Sequence, residues 1–279
     1  MKLSIIIINY KTVRLTAQCI EGILSYPPKC SHEIIVVNNS PDDKCFEVLR
    51  ERVLSRTDVP IALVSAPGNI GFSAGNNLGL EHASGEYALF LNADTVVFPD
   101  SIQPLVDYLD TNADVGLVGP KILNPDKSTQ LSCFRFPNTF FYPLYRRTIL
   151  ANTQKGQDWL KWFKMDDFDR SYTREVDWLL GACILARMSA VQEIGTLDDR
   201  FFLFLEDTDW AYRFWLGGWK VVYHSKGRIV HHIERASDDN NFIKALQKKT
   251  AWIHLASWLK YYKKHMWRKP DYPRAQSTR

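Results

Sequence analysis

Four apolar runs within the first 95 residues, each separated from the next by a segment of helical character, constrain this chain more than any other feature. Leu3–Ile8, Glu33–Val37, Ile61–Val64 and Tyr87–Leu91 are rich in Ile, Val and Leu. Near-continuous runs of this kind belong to strands buried on both faces. Arg14–Leu24 has helical periodicity and stops ahead of Pro27-Pro28, while Lys44–Arg52 and Gly71–Glu81 supply two further helical segments. Proline has no N–H to give and clashes with the preceding turn, so the first helix must end there. Alternating strands and helices predict a parallel sheet covered on both faces. Right-handed crossovers then gather the strand-end loops on one edge. Those loops contain Asn9-Tyr10-Lys11-Thr12, Asn38–Asp43, Pro67–Asn69 and Asn92–Thr95. Open α/β sheets bind ligands at that edge.

The fourth run ends on Asn92 and Asp94, with Ala93 between them. Strand side chains two apart share a face, so an amide and a carboxylate stand side by side. A hard cation such as Mg²⁺ takes one or two carboxylates and keeps its other positions for water and substrate phosphates. The spacing therefore points to a metal-assisted site for a phosphorylated ligand, although the same residues are common in plain turns. The alternation ends near residue 100. Val115–Val118, Gln130–Phe136, Val176–Arg187, Trp219–Tyr223 and Arg228–His232 read as strands. Glu206–Leu216 reads as a helix ended by Gly217-Gly218. Asn138–Thr173 is aromatic and charged, without usable periodicity.

Two later segments carry chemistry. Phe201–Leu205 runs straight into Glu206, Asp207 and Asp209. Acids in a first helical turn suit the macrodipole, but acids that follow an apolar stretch are also partly buried. A buried carboxylate near a cation is a common general base. Asp207 or Glu206 fits that role, with Asp209 in support. In Gly227–His232, alternation sends His231 and His232 to opposite faces. A histidine beside a carboxylate suits Mn²⁺ better than Mg²⁺. The glycine-rich Gly68–Gly79 permits close backbone approach, and a helix N-terminus near Gly71 can face an anion. No Gly-Lys-Ser/Thr follows, which excludes a P-loop. The first strand lacks the dinucleotide-binding glycine fingerprint, and no nucleophile elbow is present.

A net charge of +4 is too small to point to nucleic acid. Five scattered cysteines form no Cys-x-x-Cys pair, which favours reduced thiols and a cytoplasmic setting. The apolar N-terminal run is too short for a signal peptide, and no run reaches the roughly 18 apolar residues of a membrane-spanning helix.

In this order, Ser4–Tyr10, Ile35–Asp42, Asn69–Gly79, Leu91–Thr95, Val176–Arg187, Gly195–Asp209 and His232–Ser237 resemble glycosyltransferase family 2, the inverting enzymes of GT-A fold. The likeness is closest to the bacterial rhamnosyltransferase-like branch and covers about residues 3–237. It implies an α/β fold with a Rossmann-like, mostly parallel sheet flanked by helices. It also implies a nucleotide-diphosphate sugar donor, linked to dTDP or UDP, with dTDP-rhamnose as the first expectation. The acceptor would be a glycan or lipid-linked hydroxyl in cell-surface polysaccharide synthesis, and the cofactor Mg²⁺ or Mn²⁺.

Residue by residue, the resemblance gives donor binding to Asn9, Tyr10 and Thr12, to Asn69 and Asn76, and to Trp178 and Gly181. Asn38 stands where the family usually places Asp against the base. Asn92, Ala93 and Asp94 occupy its D-x-D position, with Asn for the first acid. Asp94 and His232 are the implied metal ligands, Asp207 the implied base, and Glu206 its neighbour. Residues 1–100 form the nucleotide-sugar half, 101–237 the acceptor-binding and catalytic half of the same domain, and 238–279 a basic aromatic helical tail. Two alternatives stay open: a catalytically silent nucleotide-sugar-binding module, and a sugar-nucleotide nucleotidyltransferase. The second wants a glycine-rich basic loop after the first strand, where only Lys11 and Arg14 stand.

Asn241–Lys269 is rich in Lys and contains no acid, and Trp252, Leu255, Leu259, Tyr262 and Met266 form one helical stripe. Basic and aromatic residues together suit an anionic membrane surface, here the inner face of the cell membrane. The stripe equally suits packing on the domain or on a second subunit as a homodimer. Phe134–Arg147, with Arg146-Arg147, extends the same surface.

Overall fold

The computed structural model describes residues 1–40, 44–137, 140, 142–143, 149–232 and 249–266. Pro41–Asp43, Arg146-Arg147 and Ser237 lie outside the described residues. The chain opens with β1 (Leu3–Asn9), α1 (Val13–Ser25), β2 (His32–Asn38), α2 (Cys45–Arg52), β3 (Ile61–Ser65), α3 (Phe72–Leu80) and β4 (Tyr87–Asn92). Next come β5 (Thr95–Val96), α4 (Gln103–Thr111), β6 (Val115–Leu123) and β7 (Cys133–Phe134). They are followed by α5 (Gln154–Phe163), β8 (Arg174–Glu175), β9 (Trp178–Leu179), β10 (Cys183–Arg187) and α6 (Met188–Ile194). The last elements are α7 (Glu206–Leu216), β11 (Lys220–His231) and α8 (Lys249–His265).

One mixed sheet runs β3-β2-β1-β4-β10-β6-β11-β5, with β8 added beside β11. The first four strands in this order pair in parallel, as their apolar runs require. Strand β10 is antiparallel to both its neighbours, and β6 and β11 are parallel. The register aligns Asn9 with Asn38, and Ile8 with Asn92, at one carboxyl edge. Three asparagines therefore end three adjacent strands side by side.

Both faces of this sheet are covered, which is why its strands lack polar alternation. Ile5, Ile7, Val36 and Leu91 pack under Ala17, Ile20 and Leu105 of α1 and α4. Ile6, Ile35 and Phe90 face the opposite, aromatic side, where Trp210 meets Phe90 edge-on at 5.1 Å. Helix α3 lies against that second face. A Cβ on Gly79 would come within 2.5 Å of Ile6 Cγ2, so this glycine brings helix to sheet.

The second half departs from the sequence expectations in ways that matter for the site. Trp219–Tyr223 and Arg228–His232 belong to one long strand, β11, with an irregularity between His224 and Arg228. Gln130–Phe136 contributes only the short β7. Val176–Arg187 breaks into β9 and β10. The tail helix α8 docks on the domain, but by the face opposite the stripe picked out by periodicity. Trp258, Tyr261 and Ser257 are buried, whereas Trp252, Leu255, Leu259 and Met266 are exposed. Among the described residues no helix is long and apolar enough to cross a membrane.

Candidate active site

The carboxyl edge of β1 and β2 is tied together by amides. Asn9 Nδ2 donates to Asn38 Oδ1 at 2.8 Å, and Ser40 N donates to the same oxygen at 3.0 Å. Asn9 Oδ1 in turn accepts from Thr12 N and from Thr16 Oγ1, each at 3.1 Å. These bonds fix the turn from β1 into α1, where Lys11 takes a left-handed φ of 58°. The Asn38 oxygen thus holds two donors in a buried position at the floor of the edge. The adjacent Asn39, in the same strand-end loop, donates to Gly71 O at 2.8 Å and has its own buried Oδ1 without a partner among the described residues. An orphaned buried acceptor beside a ligand edge is worth explaining.

Strand β5 brings the chain after β4 against the end of β11, pairing Thr95 with His231. Two groups meet there. His231 Nε2 lies 3.3 Å from Asp94 Oδ1, and His232 N donates to Asp94 O at 2.9 Å. The imidazole facing Asp94 is therefore that of His231; the His232 side chain is on the exposed face. Gln130 orients the ring. Its amide nitrogen donates to Asn124 Oδ1 at 3.0 Å and to His231 O at 3.4 Å, which leaves Oε1 as the acceptor for His231 Nδ1 at 2.9 Å. Nδ1 engages Gln130, which leaves Nε2 as the ring nitrogen facing the carboxylate. A carbonyl-anchored histidine with a carboxylate beside it is the ligand arrangement expected for a divalent metal, and the imidazole favours Mn²⁺ over Mg²⁺. Among the described residues no set of three or more His, Cys, Asp or Glu side chains converges. The residues fit a site in which the chain supplies two ligands and phosphate oxygens and water supply the rest.

The acid pair sits close by in the hydrogen-bond network. Asn92 N donates to Ala182 O at 2.9 Å, and the preceding residue, Gly181, donates its N–H to Asp207 Oδ2 at 3.0 Å. Asp207 Oδ1 accepts from Thr208 N at 2.7 Å and from Thr208 Oγ1 at 3.2 Å. The carboxylate is 8% exposed. Burial raises its pKa to about 6 against those stabilising N–H bonds. Glu206 is pushed well above the ordinary range by burial and then by the charge of Asp207. Its Oε2 is buried and unpartnered among the described residues. Burial thus raises the proton affinity of both carboxyls, and the charge of Asp207 adds to the rise at Glu206. The approach to this pair is strained: Phe204 and Leu205 both have left-handed φ, 70° and 67°. Non-glycine residues held there cost about 1–3 kcal/mol each, a cost met at functional sites.

Residues 4–177 match glycosyl transferase family 2. The chain belongs to that family. Its relatives include the N-acetylglucosaminyl-diphospho-decaprenol L-rhamnosyltransferase of Mycobacterium tuberculosis, 29% identical over 147 residues, which are 53% of this chain and 47% of that protein. The chain thus spans about half the length of this relative. Among solved structures, the mannosyltransferase PcManGT of Pyrobaculum calidifontis, in complex with GDP-Man and Mn²⁺, superposes with a TM-score of 0.59 at 17% identity. The match covers 94% of this chain and 73% of that one. GalNAc-T7 with UDP, GalNAc and Mn²⁺ gives 0.61 at 12% identity, over 88% of this chain and 48% of that one. The fold of this family 2 member is the GT-A type.

Several residues singled out by resemblance also make defined contacts within this glycosyl transferase family 2 chain. Trp178 is buried, stacks on Phe134 at 4.6 Å and donates to Arg135 O at 3.0 Å, so it anchors β9 within an aromatic cluster. Asn76 donates back to Phe72 O at 3.0 Å, and Asn69 Oδ1 caps Gly71 N at 3.1 Å. Some glycines of the α3 segment make close approaches within the protein. Gly71 has φ +92°, and a Cβ there would lie 2.7 Å from Phe202 O. Phe72 N donates to that same oxygen at 2.7 Å, which engages a leading N–H of the helix. Tyr10, at the end of β1, is 44% exposed, with Lys11 Nζ over its ring at 5.6 Å. Gly181 sits on Asp207, as described, and Ala93 is buried between Asn92 and Asp94.

Proposed function

We propose that the chain is a metal-dependent, inverting glycosyltransferase that moves a sugar from a nucleotide-diphosphate donor to a hydroxyl of a glycan or lipid-linked acceptor. The observation that supports this best is Asp207: a buried carboxylate with raised proton affinity, bonded through Gly181 to the strand edge that bears Asp94 and His231. L-rhamnose from dTDP-rhamnose is the first donor to try, since the mycobacterial relative is an L-rhamnosyltransferase. That relative's lipid-diphosphate acceptor likewise makes a lipid-linked acceptor the first candidate.

The reaction needs no covalent enzyme intermediate. Asp94 and His231 would hold the divalent cation, which when bound offsets the charge developing on the departing diphosphate. Tyr10, exposed at the end of β1, offers a stacking face for the base. Asp207 takes the proton of the acceptor hydroxyl. The freed oxygen pair forms a bond to the anomeric carbon from the face opposite the diphosphate. The bond to the diphosphate breaks, and its electrons leave with that group. One displacement inverts the anomeric configuration. Glu206 stands beside the base with its own proton affinity raised by burial.

Thermal stabilisation by a panel of nucleotide sugars, with and without Mn²⁺, tests the binding half of this proposal, because a ligand of the folded state raises Tm by mass action. Product analysis with the best donor and a prenyl-diphosphate sugar acceptor tests the transfer half. Retention of anomeric configuration in the product would exclude Asp207 as a base in a single displacement.

A further inference from the structure

Helix α8 shows two faces of unlike purpose. The inward face is fastened to the segment that leads into α7. Ser257 Oγ donates to Leu203 O at 2.9 Å, Lys264 Nζ pairs with Asp198 at 2.6 Å and with Asp209 at 2.8 Å, and His265 Nε2 meets Asp209 at 2.7 Å. Asp209 also holds Arg213 at 3.0 Å. With Trp258 and Tyr261 buried in the aromatic core, this face is complete.

The outward face is apolar where a domain surface is usually polar. Trp252 is 58% exposed and Leu259 is 50% exposed, with Leu255 and Met266 beside them. At 100° per residue these four side chains fall within roughly 60° of one another around the helix axis. Phe140, itself exposed, extends the band by packing edge-on against Tyr262 at 5.0 Å. The neighbouring sector, again roughly 60° wide, holds Lys249, Lys260 and Lys263, all exposed. Residues 249–266 contain no Asp or Glu. Scattered exposed apolar residues need no explanation, but a contiguous band with lysines along one side does.

We infer that this outward face of α8 lies in the interface of an anionic lipid bilayer, with Trp252, Leu255, Leu259 and Met266 entering the acyl boundary and Lys249 and Lys263 on the headgroups. Charge decides between occupants. A second copy of the same helix would set lysine against lysine, whereas anionic headgroups complement both lysines at once. An aromatic residue at one end of an aliphatic stripe, flanked by lysines that reach past it, is the arrangement that seats a helix flat in an interface. Because the inward face of α8 is bonded to Leu203 and Asp209, a seated helix brings the loop that ends at Asp207 to the membrane surface. This surface stands whatever sugar is transferred.

The test is cosedimentation of the full chain with vesicles of phosphatidylglycerol and phosphatidylcholine, against vesicles of phosphatidylcholine alone. The parent protein should partition onto the anionic vesicles and release them as salt rises. Trp252→Ser with Leu259→Ser should weaken partition by about thirty-fold. Lys249→Gln with Lys263→Gln should weaken it by about five-fold per lysine. All four side chains are exposed, and circular dichroism should show the parental helical fold in both variants before partition is compared. No cosedimentation of the parent with anionic vesicles at low salt overturns the inference, as does unchanged partition in either variant. A parent dimer that Trp252→Ser with Leu259→Ser converts to monomer by light scattering, with vesicle partition untouched, assigns the face to a second copy instead.

Discussion

Replacing Asp207 by Asn separates the chemistry of that carboxylate from its place in the fold. The substitution keeps shape and removes the base. Two opposing effects on stability follow from the structure. Raising the carboxyl from 3.8 to about 6 means that ionising it in the folded protein costs roughly 3 kcal/mol at neutral pH, and Asn removes that cost. Against this, both carboxylate oxygens accept N–H groups, from Gly181 and from Thr208. The amide NH₂ must face one of those donors, a buried mismatch of about 1–3 kcal/mol. The net change in stability is therefore small, within about 2 kcal/mol either way. Turnover, by contrast, should fall by about 10²–10⁴, the usual contribution of a general base. Nucleotide release with donor and acceptor present, run beside a Tm measurement, reads both quantities. Near-parental turnover with parental stability would refute the assignment of Asp207. The pH behaviour has a defined sign. A carboxyl raised in the folded state binds the extra proton there, so stability falls as pH climbs from about 4 to about 6. Activity rises through the same window as the base ionises. Asp207→Asn should remove this share of the stability dependence, leaving those of Glu206 and Asp209, and should abolish the rise in activity.

Further outcomes follow from the same geometry. His231→Ala should weaken Mn²⁺-dependent nucleotide binding strongly and His232→Ala hardly at all; equal losses by calorimetry would count against the pairing of Asp94 with His231. Gln130→Leu should lower metal affinity by about 10- to 100-fold through loss of ring orientation, with the fold retained. Asp209→Asn strands Arg213, Lys264 and His265 beside a buried neutral side chain and should cost about 3–5 kcal/mol by denaturant unfolding. Asp209 is held below the ordinary carboxylate range by His265, Arg213 and Lys264 despite burial, so its contribution is present at neutral pH and is lost as pH falls through the folded value. Gly79→Val should destabilise by about 1–3 kcal/mol or more, because Ile6 occupies the space its side chain needs.

The parallel half of the sheet was readable from sequence because continuous β-branched runs have few other destinations than a strand covered on both faces. Strand β1 and its parallel neighbours fall where those runs predict, give or take a residue. The other half depends on contacts that local pattern does not encode. Strand β10 enters antiparallel between β4 and β6, and β5, β7, β8 and β9 are two residues long, too short to show a period. The histidine pair shows the limit clearly. Alternation established that His231 and His232 point apart, but which one meets Asp94 is set by the irregularity in β11 and by pairing with β5. Helix α8 shows another. Its most regular apolar stripe is the exposed one, because the docking face mixes Trp258 and Tyr261 with His254, Ser257 and His265, polar groups that periodicity counts against burial. The glycines of the α3 segment promise close backbone approach, and the structure shows which neighbours come close: Phe202 at Gly71 and Ile6 at Gly79. Gln130 and the paired left-handed residues Phe204 and Leu205 left no signal at all in the sequence; their orienting atoms and backbone angles appear only once the chain is folded.

The central claim is that Asp94 and His231 make up the protein's share of a metal site next to the Asp207 base. Crystallographic anomalous scattering from crystals grown with Mn²⁺ and a nucleoside diphosphate tests it most directly. The account predicts one Mn²⁺ bound by Asp94 and by Nε2 of His231, with diphosphate oxygens completing its coordination. Manganese on His232, or at a site that touches neither Asp94 nor His231, would contradict it.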